Sequence, residues 1–155
     1  MRKILFSSIA LLGFMFCAAP RLVSQSYGPM GTSVIPAASL MQPEALNKML
    51  LAKKAPVILQ VGSHLLFTEA HIAGSKYVGP GSAESGLQAL QNAVASLPKD
   101  RLIVLYCGCC PWSHCPNVGG AWKRLSDLGY KNVKVLYLPN NFGDDWMAKG
   151  YSTEQ

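Results

Sequence analysis

Leu102-Ile103-Val104-Leu105-Tyr106 is followed at once by Cys107-Gly108-Cys109-Cys110-Pro111-Trp112-Ser113-His114-Cys115-Pro116-Asn117. The first five residues are aliphatic, β-branched or aromatic and carry no charge, so they read as a strand buried on both faces. Beyond the cysteines, Val118, Ala121, Trp122, Leu125 and Leu128 recur at helical spacing. Asn117 is placed to cap that helix and Gly129 to stop it. A strand, a cysteine-rich loop and a helix in direct succession are the start of a parallel crossover.

The same alternation extends in both directions. Pro43 opens a helix to about Lys53 with Leu46, Met49 and Leu50 on one face. Val57 to Val61 follows Pro56 as a short buried strand. His71 to Gly74 reads as a turn, its histidine bonding backbone, and Tyr77-Val78 as a short strand. Ser85 is set to cap a helix carrying Leu87, Leu90, Val94 and Leu97. Val133 to Leu138 is a further strand, and a last short helix spans about Asp144 to Lys149 with Trp146 facing the core. Strands alternating with helices give an α/β fold, a mostly parallel sheet covered on both faces.

The chain has 155 residues, half of them apolar and 14% charged, which fits one folded domain. From residue 27 onward eleven Lys and Arg stand against eight Asp and Glu, a balance of +3. That charge is mild, no basic stripe is interleaved with aromatics, and nucleic acid is not an expected partner. Arg2 and Lys3 precede an apolar run from Ile4 to Ala19, which suits a signal peptide over residues 1–26 with cleavage before Tyr27. Lipidation at Cys17 and an uncleaved anchor are the alternatives. The expected location is the periplasm or the cell exterior, with no stable membrane insertion once the leader is removed, and disulfides persist there. Residues 27–39, rich in Gly, Pro and Ser, read as a flexible arm, and residues 40–155 as the domain.

Sites in open parallel sheets lie beyond the carboxyl ends of strands, and a helix N-terminus there favours a thiolate. Cys107 ends the strand and is held by rigid backbone, while Cys115 lies closest to the helix. Two such thiols point to sulfur transfer or disulfide exchange. Cys109, Cys110 and Cys115 admit three readings: redox partners of Cys107, a structural disulfide (Cys107–Cys115 or Cys110–Cys115), or a copper or zinc site with His114 as a further ligand. His114 also suits acid–base work or thiolate stabilisation. Trp112 either covers the cysteines or packs.

Val57 to Val61, Ala70-His71-Ile72-Ala73-Gly74-Ser75, Leu102 to Cys107, Leu128-Gly129-Tyr130 with Asn132-Val133, and Trp146 with Gly150-Tyr151 stand in the order of the rhodanese-like domain. Over roughly residues 40 to 151 the chain resembles that family. The resemblance implies a three-layer rhodanese-like fold with a mostly parallel central sheet and helices on both faces. It implies that Cys107 is a nucleophile that takes a sulfane sulfur as a persulfide and passes it to a thiol. The donor would be a small sulfur compound, and the acceptor a small thiol or a partner protein's thiol. Loop groups, here Gly108, Trp112, Ser113 and Asn117, would cradle the anion. Three departures stand out. Gln60-Val61-Gly62 replaces the usual Asp-Val-Arg, the loop is several residues longer, and it holds no Lys or Arg, which argues against thiosulfate. The expectation is an exported sulfurtransferase or persulfide-handling protein needing no cofactor. A soft-metal module and a catalytically silent interaction domain with loop disulfides are the alternatives.

Overall fold

The computed structural model describes residues 31–155. The leader, Cys17 and the first part of the arm lie outside the described residues.

Leu40–Met41 form strand β1, and Pro43–Leu51 helix α1, with proline at its first turn as expected. Strand β2 is Val57–Gln60, helix α2 His64–Glu69, and strands β3 and β4 are His71–Ile72 and Lys76–Tyr77. Helix α3 runs from Glu84 to Val94, strand β5 from Ile103 to Tyr106, and helix α4 from Asn117 to Asp127. Strand β6 is Val133–Leu136, helix α5 Phe142–Asp145, and strand β7 Thr153–Glu154. The main sheet has five strands in the order β1-β6-β5-β2-β4, and every neighbouring pair is parallel. A separate antiparallel pair, β3 with β7, ties the C-terminus to His71–Ile72.

Strand alternation divides the core between the two faces of the sheet. Ile103 and Leu105 of β5 join Leu59, Leu87, Val118 and Leu125 on one face. Val104 and Tyr106 join Leu46, Ile58, Leu136 and Trp146 on the other. The central position of β5 is why its residues are apolar on both sides: all four are buried. Helices α3 and α4 are fastened over the first face by Arg124, whose guanidinium meets both carboxylate oxygens of Glu84 at 2.9 Å. Among the described residues no helix is long and apolar enough to cross a membrane.

Several local expectations need correction. Residues 31–39 contain two short 3-10 turns, Thr32–Val34 and Ala37–Ser39, and Ile35 between them is buried in the core. Ser85 lies within α3, whose N-cap is Ala83. Asn117 is the first residue of α4, and its amide makes no capping bond to the helix, because it is engaged elsewhere. Helix α2 and the β3–β7 pair were not anticipated. The last helix starts at Phe142, two residues early, and Asp145 within it is buried and accepts the N–H groups of Asn140 and Asn141.

Candidate active site

Tyr106 brings β5 to its end, and its hydroxyl anchors the neighbouring segments. It accepts the Ile72 N–H at 3.2 Å and pairs with Ser75 Oγ at 2.9 Å. Burial pushes this phenol up to about 12, so it stays protonated. The next residue, Cys107, is 4% exposed and packs with the core on the α3–α4 side.

The chain then reverses at Gly108, which has φ +75°. A side chain there would also strike Phe142, since an added Cβ would lie 2.7 Å from the Phe142 Cβ. Glycine is therefore required on two counts. The reversal returns Cys109 to within 3.0 Å of Cys107, sulfur to sulfur. Cys110 follows at 3.5 Å from Cys109. Space for the Cys107 sulfur comes from Gly62, where any Cβ would sit 2.7 Å from that sulfur. The Gln60-Val61-Gly62 departure is thus part of the site. The Gln60 amide nitrogen donates to the Cys107 carbonyl at 3.4 Å, and its oxygen accepts the Gly62 N–H at 3.1 Å.

Asn117 explains its missing cap here. Its Oδ1 accepts the Ser82 N–H at 3.2 Å, and its Nδ2 donates to the Cys107 sulfur at 3.3 Å and more distantly to Cys109 at 3.9 Å. The N–H groups of Asn117 and Val118, the free donors of the first turn of α4, go to the sulfur of Cys115. The anion cradle expected from the loop is in this respect filled by a thiolate of the chain itself.

The three clustered thiols do not share charge evenly. The Cys107 thiol donates to both Cys109 and Cys115, and with burial this holds its own proton firmly. Cys109 is lowered to about 6, chiefly by that hydrogen bond from Cys107. Cys115 is also lowered to about 6, by the Cys107 thiol and then by the helix N–H groups. Cys110 is pushed up to about 12, first by desolvation. Cys109 is exposed and Cys115 buried. Alkylation by iodoacetamide should therefore strike Cys109 first. Its rate should rise through about pH 6 and level off above it, because the thiolate is the reactive form. Cys110 should remain unmodified at pH 7 on the same timescale. Peptide-resolved rates showing Cys110 ahead of Cys109 would contradict this order.

A pocket of about 410 Å³ opens beside the cysteines. Its walls include Leu66, Tyr106, Phe142 and Met147 together with Cys107 and Cys109. Glu69 is the sole charged residue lining it.

A scan against protein families matches the rhodanese-like domain over residues 42–137. The chain belongs to the rhodanese-like domain family. No curated protein matches it. Among solved structures, the rhodanese-like domain of the Alr3790 protein from Anabaena sp., determined in solution, is 23% identical. The match covers 75% of this chain and 78% of that one, with a TM-score of 0.55. The crystal structure of the Alr3790 protein gives 23% identity, 74% and 81% coverage and a TM-score of 0.56. At this identity the likeness concerns the fold. The five-stranded parallel sheet flanked by helices is the rhodanese-like fold that the sequence led us to expect.

Within this rhodanese-like domain the anticipated site residues separate into two groups. Cys107, Gly108, Cys109, Cys115 and Asn117 converge. Ser113 and His114 do not: both are exposed, and Ser113 Oγ bonds His114 Nδ1 at 2.9 Å. Cys110 donates toward the His114 carbonyl rather than its ring. Among the described residues no three His, Cys, Asp or Glu side chains are grouped so as to hold a metal. The four loop cysteines are unbridged; Cys107 and Cys110 each meet Cys115, the cross-loop neighbours anticipated, and Cys107 also lies 3.0 Å from Cys109. Trp112 packs against the core and meets the Tyr137 ring edge-on, with centroids 5.2 Å apart. His71 does bond backbone, its Nδ1 lying 2.9 Å from the Phe67 carbonyl. Sequence reasoning missed the pocket walls. Leu66 sits on the unanticipated α2, Phe142 opens α5, which was expected to begin two residues later, and Met147 follows it.

Proposed function

We propose that this domain is a sulfurtransferase that accepts sulfane sulfur on Cys107 from a neutral or apolar persulfide and passes it to a thiol. The observation that carries this reading is Cys107 at the end of the central strand, lining a pocket and within 3.0 Å of a second thiol of opposite proton tendency. Cys107 attacks the outer sulfur of R–S–SH. The donor S–S bond breaks, and its electron pair leaves on RS⁻. The Cys109 thiolate takes the proton of Cys107 as it attacks, an adjacent base activating the nucleophile. That proton then passes to RS⁻. The acceptor thiol next removes the sulfur from Cys107.

The pocket supports the donor class. A doubly charged thiosulfate would leave water for walls that offer no cation, and unrelieved desolvation of charge is costly. An alkyl persulfide buries its R group against Leu66, Phe142 and Met147. Reduced protein treated with benzyl persulfide, rapidly desalted and at once exposed to cyanide should yield one sulfur per chain, counted as thiocyanate and sulfide together. Loading with thiosulfate should be at least about tenfold slower, a difference of roughly 1.4 kcal/mol. Neither thiocyanate nor sulfide from the benzyl persulfide sample would overturn the reading. The apolar, Lys/Arg-headed N-terminus supports export to the periplasm or cell exterior. Recovery of the protein in the cytoplasmic fraction alone would count against that part.

A further inference from the structure

The mechanism above uses Cys109 as a base, but its position permits a second act. Once Cys107 carries a sulfane sulfur, the atom 3.0 Å from Cys109 is the inner sulfur of that persulfide. The outer sulfur has the 410 Å³ pocket to occupy. Cys109 and Cys107 are two residues apart, so their α-carbons are separated by at most about 7 Å, near the upper end of the disulfide range. Gly108, fixed at positive φ and closed in by Phe142, holds the turn that brings the two sulfurs together. The Gly108 carbonyl accepts the Phe142 N–H at 3.0 Å, which ties the turn to α5. Nothing in the fold has to move far for a bond to form.

We propose that Cys109 is a resolving cysteine: it attacks the inner sulfur of the Cys107 persulfide, forms a Cys107–Cys109 disulfide and expels the sulfane sulfur as HS⁻. The Cys109–Cys107 S–S bond forms, and the bond from Cys107 to the sulfane sulfur breaks with its electron pair on the leaving sulfur. The sulfane sulfur is reduced to sulfide, and the two cysteine sulfurs are oxidised to the disulfide. A dithiol reductant, small or protein-borne, resets the domain by thiol–disulfide exchange and is itself oxidised. The domain thereby couples persulfide breakdown to consumption of dithiol, an activity distinct from handing sulfur directly to an acceptor. Cys115 also meets Cys107, but it is buried, held by the α4 N–H groups and absent from the pocket lining, so Cys109 is the partner assigned.

This inference rests on sulfur acceptance at Cys107, and one experiment separates the two. Reduced full-length protein and its Cys109→Ser variant are loaded anaerobically with benzyl persulfide and desalted. Intact mass and released sulfide are then followed without added thiol. Both chains should gain about 32 Da, one sulfur atom, the variant more slowly because it lacks the Cys109 base. The wild type should then fall to about 2 Da below its reduced mass with one sulfide released per chain, the loss of two hydrogens that marks one disulfide. The variant should keep its gain at least about a hundredfold longer, having lost a nucleophile held at high effective concentration. Sulfide release by the variant at the wild-type rate, or a persistent gain on the wild type, would overturn the resolving role while leaving acceptance intact. Absence of the gain on both chains would overturn acceptance itself, and the resolving step with it.

Discussion

Cys107→Ser should leave a folded protein that takes up no sulfane sulfur. The substitution exchanges one small buried side chain for another at a site 4% exposed, so its cost should stay near 1 kcal/mol. The Asn117 amide keeps an acceptor, since a hydroxyl oxygen replaces the sulfur it faced at 3.3 Å. The chemistry, in contrast, loses its nucleophile outright. A serine hydroxyl neither ionises in reach of the Cys109 base nor forms a stable bond to sulfane sulfur. Loading from benzyl persulfide, read as thiocyanate and sulfide together, should fall by at least about a thousandfold. The remaining thiols do not compensate. Cys115 is buried beneath the start of α4, and Cys110 does not line the pocket. A variant loading within tenfold of wild type would move the nucleophile to Cys109, the exposed thiolate beside it.

Trp146→Ala should produce the largest loss of stability. The indole is fully buried, stacks on Phe142 at 6.5 Å and meets Tyr151 edge-on at 5.1 Å. Its Nε1 donates to the Ser152 carbonyl at 3.1 Å, so it fixes the C-terminal segment that leads into β7. Removing it leaves a cavity in the face of the core that contains Leu46, Ile58, Val104 and Leu136. Truncation of a buried tryptophan costs about 3–5 kcal/mol. For a chain of this size that corresponds to about 10–20 °C in melting temperature. Phe142 and Met147 form pocket walls on either side of Trp146, so loading with benzyl persulfide should weaken as well. A melting temperature within 3 °C of wild type would show that the C-terminal segment does not close the core.

What the sequence disclosed follows from where tertiary context adds little. Val57 to Val61 and Leu102 to Tyr106 are apolar runs that only a two-sided sheet can bury, and β2 and β5 are where they were expected. Cys107 at the strand end followed directly. The helix faces of α3 and α4 were legible because Leu87, Leu90, Val94, Val118 and Leu125 fall on one side at helical spacing. Helix α2 was not, since it is six residues long, has no buried residue and no side-chain cap. The β3–β7 pair consists of two-residue strands joined across the length of the domain, a pairing with no local signal. Asn117 misled because asparagine before an apolar stripe is an ordinary cap, whereas here its amide bridges Ser82 and Cys107. The approach of Cys109 to Cys107 was not legible, for a backbone reason. Cross-loop neighbours follow from an extended loop, and Cys115 does meet Cys107, but a glycine in the left-handed region folds Cys109 onto Cys107 as well.

The central claim is that sulfane sulfur enters on Cys107, with Cys109 as its neighbour rather than its substitute. The direct measurement loads the reduced Cys109→Ser protein with benzyl persulfide, alkylates it and maps the added sulfur by peptide mass spectrometry. The account expects the added sulfur, about 32 Da, on Cys107, with Cys110 and Cys115 unlabelled. Sulfur on Cys110 or Cys115 with Cys107 unlabelled would contradict it.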